Sequence, residues 1–179
     1  DACRDGGGEV VIPAGEWHTA SLRLWSHITL HLLSGAKLIA SDRWEDYIDY
    51  HVPTSMAYTT DPHFIDIWNL PPHYLNAVIT AVQCEDIAVI GEEGSEINGS
   101  NCYDPNGEEK FRGPMGMVLC KCRNVTLKGY TFVDSANWSH QIDAGENISI
   151  SNIRILAGHD GFNLHHSTNV TVSNCDIQT

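Results

Sequence analysis

The residues whose types could do chemistry crowd one short stretch, Ala157-Gly158-His159-Asp160-Gly161-Phe162-Asn163-Leu164-His165-His166, where a carboxylate and three imidazoles stand beside two glycines. A carboxylate such as Asp160 can take a proton from water and so turn it into a nucleophile, and Gly158 and Gly161 would let the backbone approach a ligand closely. The same letters also spell an Asp-Gly turn, which joins strands and needs no catalysis. The elements that hold the cluster decide between the two.

Those elements repeat. Glu85-Asp86-Ile87-Ala88-Val89-Ile90, Arg123-Asn124-Val125-Thr126-Leu127-Lys128, Glu146-Asn147-Ile148-Ser149-Ile150-Ser151 and Thr168-Asn169-Val170-Thr171-Val172-Ser173 are one phrase, and the last three copies start 23 and 22 residues apart. A fixed period of this length is the signature of a solenoid, with each copy a short strand entered through a polar Asx corner. Ser26-His27-Ile28-Thr29-Leu30-His31-Leu32 is an earlier echo. Five Asn-x-Ser/Thr triplets start at Asn98, Asn124, Asn137, Asn147 and Asn169, and three of them are the phrase itself, so the Asn there is read as a corner residue and not as a glycan acceptor.

Composition fits one folded body. The chain has 179 residues, 42% hydrophobic and 18% charged, enough to bury a core and too apolar for disorder. Ten Lys plus Arg stand against 23 Asp plus Glu, and a net charge of −13 repels polyanions, so nucleic acid is a poor partner and anionic glycans meet the same difficulty. No stretch approaches the roughly 20 apolar residues of a membrane span. The opening Asp1-Ala2-Cys3-Arg4-Asp5-Gly6-Gly7-Gly8 lacks the features of a signal peptide and reads as mid-protein. The six cysteines form no C-x-x-C pair and no zinc-finger spacing; Cys84 and Cys122 precede their phrases where small apolar side chains of successive coils would stack, which favours buried thiols over disulfides.

Two stretches break the pattern. From Ala40 to Asn76 aromatic residues, prolines and histidines crowd without period, among them Trp44, Tyr47, Tyr50, Tyr58, Phe64, Trp68 and Tyr74. An irregular segment inside a solenoid is an excursion on one face, serving either as a cap over the coil or as a wall for a ligand. Gly99 to Gly113, rich in Asn, Asp, Pro and Gly, reads as a solvated loop.

The order of elements resembles glycoside hydrolase family 28, the polygalacturonase and rhamnogalacturonase family of right-handed parallel β-helices. The resemblance is carried by Gly6-Gly7-Gly8-Glu9-Val10-Val11-Ile12-Pro13-Ala14-Gly15, Ile28-Thr29-Leu30-His31-Leu32 with Gly35-Ala36-Lys37-Leu38, and Ile97-Asn98-Gly99. It continues through Arg112-Gly113-Pro114, Cys122-Arg123-Asn124-Val125-Thr126-Leu127, Asn137-Trp138-Ser139-His140 and Asp160-Gly161. It implies an all-β fold, a right-handed single-stranded parallel β-helix of the pectin-lyase-like kind, with residues 1–179 forming one incomplete domain and excursions at about 40–76 and 99–113. In that family the aspartate of an Asn-Thr-Asp-Gly motif helps activate water, and Asp160 falls at its position. A Gly-Asp-Asp motif follows one coil later, and Asn174-Cys175-Asp176-Ile177-Gln178-Thr179 looks like its lead-in, so the general acid is expected beyond Thr179 and the isolated segment is expected to be inactive.

An inverting glycosidase needs two carboxyl groups roughly 6.5 to 9.5 Å apart, which carboxylates on coils about 4.8 Å apart can satisfy. Two departures bear on substrate: Gly158 and His159 stand where polygalacturonases have Asn and Thr, and Asn163 replaces an acidic residue. The only basic groups expected near the site are Arg154 and the histidines, so a neutral or mixed glycan stays open. His159, Asn163, His140, His165 and His166 are candidate substrate-binding residues. No metal and no cofactor is expected, the partner is a polysaccharide or oligosaccharide, and the resemblance suggests a secreted or periplasmic parent. A calcium-dependent lyase would need a cluster of six to eight oxygen ligands, where only Asp143 and Asp160 stand with histidines. A glycan-binding or structural β-helix is the non-enzyme alternative.

Overall fold

The computed structural model describes residues 3, 5–68 and 70–179. Asp1, Ala2 and Arg4 of the opening segment, Asn69, and the side chain of Tyr58 lie outside the described residues.

The chain winds through six coils. The first holds β1 (Gly8–Ile12), β2 (Gly15–Thr19) and β3 (Leu22–Leu24); the second holds β4 (Ile28–Leu32), β5 (Ala36–Ala40), the helices α1 (Ala57–Thr60) and α2 (Pro62–Trp68), and β6 (Ala77–Val82). The third holds β7 (Glu85–Gly91), β8 (Glu96–Asn98) and β9 (Met115–Cys120); the fourth β10 (Arg123–Lys128), β11 (Thr131–Val133) and β12 (His140–Asp143). The fifth holds β13 (Glu146–Ser151), β14 (Arg154–Leu156) and β15 (Phe162–His165), and the sixth β16 (Thr168–Ser173) and β17 (Asp176–Gln178). Corresponding strands stack in parallel into three sheets, ordered β1-β4-β7-β10-β13-β16, β17-β14-β11-β8-β5-β2 and β15-β12-β9-β6-β3. This is a parallel β-helix, right-handed as parallel crossovers require.

The repeated phrase is the first sheet. Its second residue, Asp86, Asn124, Asn147 or Asn169, takes a left-handed φ of 53 to 56°, a conformation that Asn and Asp tolerate best among residues with a Cβ. Their side chains form a ladder along the body: Asn169 Nδ2 donates to Asn147 Oδ1 (2.6 Å), Asn147 Nδ2 to Asn124 Oδ1 (3.1 Å) and Asn124 Nδ2 to Asp86 Oδ1 (2.9 Å). The echo at residues 26–32 supplies β4, which pairs Thr29 with Ala88 in the same sheet.

Register in every sheet puts like on like. Ile87, Val125, Ile148 and Val170 align in the first sheet, and Leu38, Ile97, Phe132 and Ile155 in the second. Most of these are buried, each contributing on the order of 1.5–3 kcal/mol of transfer free energy. All six cysteines are free thiols, and Cys84, Cys102, Cys120 and Cys122 are buried.

Side chains alternate across the third sheet. Met117, His140 and Phe162 point inward in one row, while Val118, Gln141 and Asn163, then Cys120, Asp143 and His165, point outward. Residues 41–68 and 70–76 fold over that outer face: Val52, Leu70 and Leu75 pack with Tyr74 on Ala77, Met115 and Val118, and Gln141 Nε2 donates to Met56 Sδ. Two carboxylates fasten the cover. The buried Asp143 accepts from Thr54 Oγ1 (2.7 Å), Ser55 N (3.3 Å) and His166 Nδ1 (3.1 Å). Asp104, also buried, meets His73 Nε2 at 2.6 Å, and the His73 ring stacks on Trp44.

Candidate active site

Asp160 lies in the turn between β14 and β15, and its backbone is pinned to the preceding coil. Ser139 N donates to Asp160 O (2.9 Å), His140 N to Gly161 O (3.0 Å), and Ser139 Oγ also to Gly161 O (2.7 Å). The glycines of the cluster serve the coil, not a ligand. Gly158 has φ +85°, and a Cβ there would come within 2.7 Å of Ser135 O and 2.8 Å of Ser135 N; a Cβ at Gly161 would meet Ile177 at 2.9 Å. With the turn fixed, the Asp160 carboxylate projects outward and is exposed.

It projects into a groove of about 440 Å³. The first excursion supplies Phe64, Trp68, Leu70 and Tyr74 as one wall, the second supplies Glu108, Glu109 and Arg112, and Trp138 and Asp160 come from the coil itself. Tyr74 and Trp138 meet edge to face with centroids 6.2 Å apart. Glu108 is buried at 8% exposure, and its Oε2 accepts from Asn137 Nδ2 at 3.3 Å. Burial raises its pKa despite the opposing effects of Arg112 and Asn137, so its protonated form persists to higher pH than an ordinary glutamate's. Arg112 Nε donates to Glu109 Oε2 at 2.7 Å.

An exposed carboxylate on a fixed turn that faces aromatic rings has the chemistry to hold a sugar ring and to take a proton from water beside it. The family model for glycosyl hydrolases family 28 matches residues 59–179. The chain belongs to glycosyl hydrolases family 28. A Vitis vinifera protein named "Probable polygalacturonase" is 26% identical over 182 residues, covering 97% of this chain, and this chain spans 35% of that relative's length. Among solved structures, a hyperthermoactive exopolygalacturonase from Thermotoga maritima superposes with TM-score 0.66 at 20% identity, covering 96% of this chain and 45% of that one. A polygalacturonase from Erwinia carotovora superposes with TM-score 0.64 at 17% identity, covering 97% and 56% respectively. These superpositions carry the fold.

The family 28 body sorts the residues predicted from sequence. Asn163 stands beside Asp160, with Nδ2 3.5 Å from Oδ2. His159 packs its ring on Phe111 (5.9 Å), and burial, aided by Arg112, lowers its pKa toward a neutral imidazole. His165 stacks on the back of Trp138 (6.4 Å), its pKa lowered by burial. His166 pairs with Asp143 and so fastens the cover. His140 is corrected from a subsite to the core. It has no exposure, its Nε2 shares a 2.9 Å hydrogen bond with the Tyr130 hydroxyl and its Nδ1 one of 3.1 Å with Ser139 Oγ, and burial pushes its pKa down to about 3.

The loop 99–113 is likewise corrected. It is not a solvated excursion but a folded lobe against the groove, with Cys102, Asp104 and Glu108 buried. Sequence reading therefore missed Glu108, Glu109 and Arg112. A signal was present in Glu108-Glu109-Lys110-Phe111-Arg112, a charged run with an aromatic residue inside an otherwise Asn- and Gly-rich loop. Glu108, Glu109 and Asp160 share the groove, but among the described residues they do not come close enough together to hold a metal ion. Asp143 is committed to Thr54, Ser55 and His166. Among the described residues the one group with metal-holding geometry is His27, Glu85 and Asp86 on the first sheet, where Glu85 is already paired with Arg123.

Proposed function

We propose that this chain supplies the substrate groove and the water-activating carboxylate of a hydrolase that cleaves glycosidic bonds in a pectin-like plant polysaccharide, and that residues 1–179 are one part of a longer β-helix. The observation that supports it best is the convergence of the exposed Asp160 carboxylate and the Phe64, Trp68, Tyr74 and Trp138 rings in one groove. In this reading a sugar ring lies against the aromatic wall, and Asp160 takes a proton from a water that attacks the anomeric carbon from the opposite face to the leaving oxygen. A second carboxyl group protonates that oxygen, and inversion follows because water enters opposite to departure. In this reading that acid stands one coil after Asp160, just past Thr179. Asn163 orients the Asp160 carboxylate, His159 borders the groove, and His165 braces Trp138.

The test is product analysis with the longer protein that carries the following coil, on a panel of pectic oligosaccharides. Release of reducing ends with inverted anomeric configuration by NMR, unaffected by calcium chelation, is the expected result. An unsaturated product absorbing in the ultraviolet would replace hydrolysis with elimination, and no turnover of any glycan would replace the enzyme with a binding module.

A further inference from the structure

The left-handed corners of the first sheet carry a second cluster of ligating side chains, separate from the groove. Asn169, Asn147, Asn124 and Asp86 occupy that corner in successive coils, and His27, with φ 62°, occupies it in the second coil. The Asn ladder therefore ends on a carboxylate and an imidazole. Asn124 Nδ2 donates to Asp86 Oδ1 at 2.9 Å, which leaves Asp86 Oδ2 turned to His27 Nδ1 at 3.1 Å. Glu85 is divided in the same way: Arg123 Nε donates to Oε2 at 2.6 Å, and Oε1 faces His27 Nε2 at 3.8 Å. One ligand atom from each of the three residues lies within 4.8 Å of the other two. The backbone under the imidazole is held from both neighbouring coils, with Gly8 N donating to His27 O and His27 N to Glu85 O, each at 2.8 Å.

We propose that His27, Glu85 and Asp86 bind one divalent ion of the zinc class, which clamps the second coil to the third, with water completing its coordination. The ligand set selects the ion. An imidazole nitrogen with two carboxylate oxygens suits Zn²⁺, whereas calcium takes six to eight oxygens and magnesium keeps much of its water. Ligands at the corners of a tetrahedron, on bonds of about 2.0–2.1 Å, stand about 3.3 Å apart. The 3.1 Å between His27 and Asp86 is close to that spacing, and a small side-chain rotation brings Glu85 Oε1 to it. Both carboxylates have their other oxygen bonded already, Asp86 to the ladder and Glu85 to Arg123, and such outer partners orient metal ligands. The side chains of His27, Glu85 and Asp86 are 56%, 33% and 50% exposed, which gives an ion a path in and room for water. In later coils the same corner is Asn, which offers a neutral amide; His27 and Asp86 turn the end of that ladder into a pair of ligands.

The experiment is calorimetric titration of zinc chloride, and separately of calcium chloride and magnesium chloride, into the protein, His27→Asn and Asp86→Asn, in a buffer that does not chelate. Both variants keep the fold, checked by circular dichroism, because Asn fills the same corner at positions 124, 147 and 169 and tolerates a left-handed φ. The expected result is one zinc site with a dissociation constant on the order of micromolar, weakened at least about tenfold in each variant, and binding of calcium and magnesium at least about tenfold weaker than that of zinc. Zinc at about 100-fold above the dissociation constant should raise the thermal midpoint of the protein by about 5 °C, and that of His27→Asn by half as much or less. Zinc bound equally well by both variants sits on other histidines or thiols and overturns the inference, as does the absence of zinc binding. Calcium bound as tightly as zinc overturns the assignment of the ion.

Discussion

Acidification should unfold this body partly through one residue, His140. The imidazole is wholly buried between Met117 and Phe162, and burial pushes its pKa from 6.5 down to about 3. A histidine held neutral in the folded state binds its proton more readily when unfolded. Its contribution is therefore fully present above pH 6.5 and is lost as pH falls from 6.5 toward about 3, at a limiting slope of about 1.4 kcal/mol per pH unit. At pH 4 the loss is about 3 kcal/mol, a large share of the roughly 5–15 kcal/mol that a typical domain has. Other groups titrate in the same range. Asp143, whose hydrogen bonds from Thr54, His166 and Ser55 outweigh its burial and lower its pKa, also loses stability in acid. A paired comparison removes them. Urea unfolding of the protein and of His140→Gln at pH 7, 5.5 and 4 should show the variant less stable at pH 7, because the Tyr130 hydroxyl loses its partner, by about 1–3 kcal/mol. That deficit should shrink by about 3 kcal/mol at pH 4. A difference that does not depend on pH would show that His140 is not held neutral and would refute the burial argument.

Three further outcomes follow from the same geometry. Asn147→Ala breaks two rungs of the Asn ladder and strains a left-handed position, so it should cost about 1–2 kcal/mol in urea unfolding. Asn147→Gly keeps the backbone freedom, and its smaller loss separates the conformation from the ladder. Gly158→Ala should lower stability by about 1–3 kcal/mol and also disturb the Asp160 turn, since its Cβ would press on the Ser135 backbone; thermal unfolding and glycan affinity should fall together. Asp104→Ala removes the buried partner of His73 that ties the two excursions, and amide exchange should quicken in residues 99–113 while the first sheet is unchanged.

The coil was legible because its signal is periodic. An Asx residue followed by alternating apolar residues recurs at a fixed spacing, and the pairing of Val125 with Ile148 and of Ile148 with Val170 is that spacing expressed as register. Asp160 stood out as a candidate because its turn departs from the period. The groove's other half did not. Glu108, Glu109 and Arg112 sit in a loop whose Asn, Pro and Gly content looks like any solvated connection, and its burial arises from long-range contacts such as His73 with Asp104 and Glu108 with Asn137. His140 misled for the opposite reason: histidine at a strand start reads as a surface group, yet period-two alternation places position 140 on the inner face in register with Met117. Gly158 and Gly161 were correctly singled out but for the wrong neighbour, since what they approach is the adjacent coil.

The central claim is that Asp160 is the carboxylate that activates water in the aromatic groove. Its most direct test is Asp160→Asn in the longer protein, assayed for glycan turnover with binding measured in parallel. The carboxylate is exposed and its accepting carbonyl belongs to the backbone, so the variant should fold and bind glycan as before while turnover falls by about 10²–10⁴. Turnover within a few-fold of the unaltered protein, with binding intact, would contradict the assignment of Asp160.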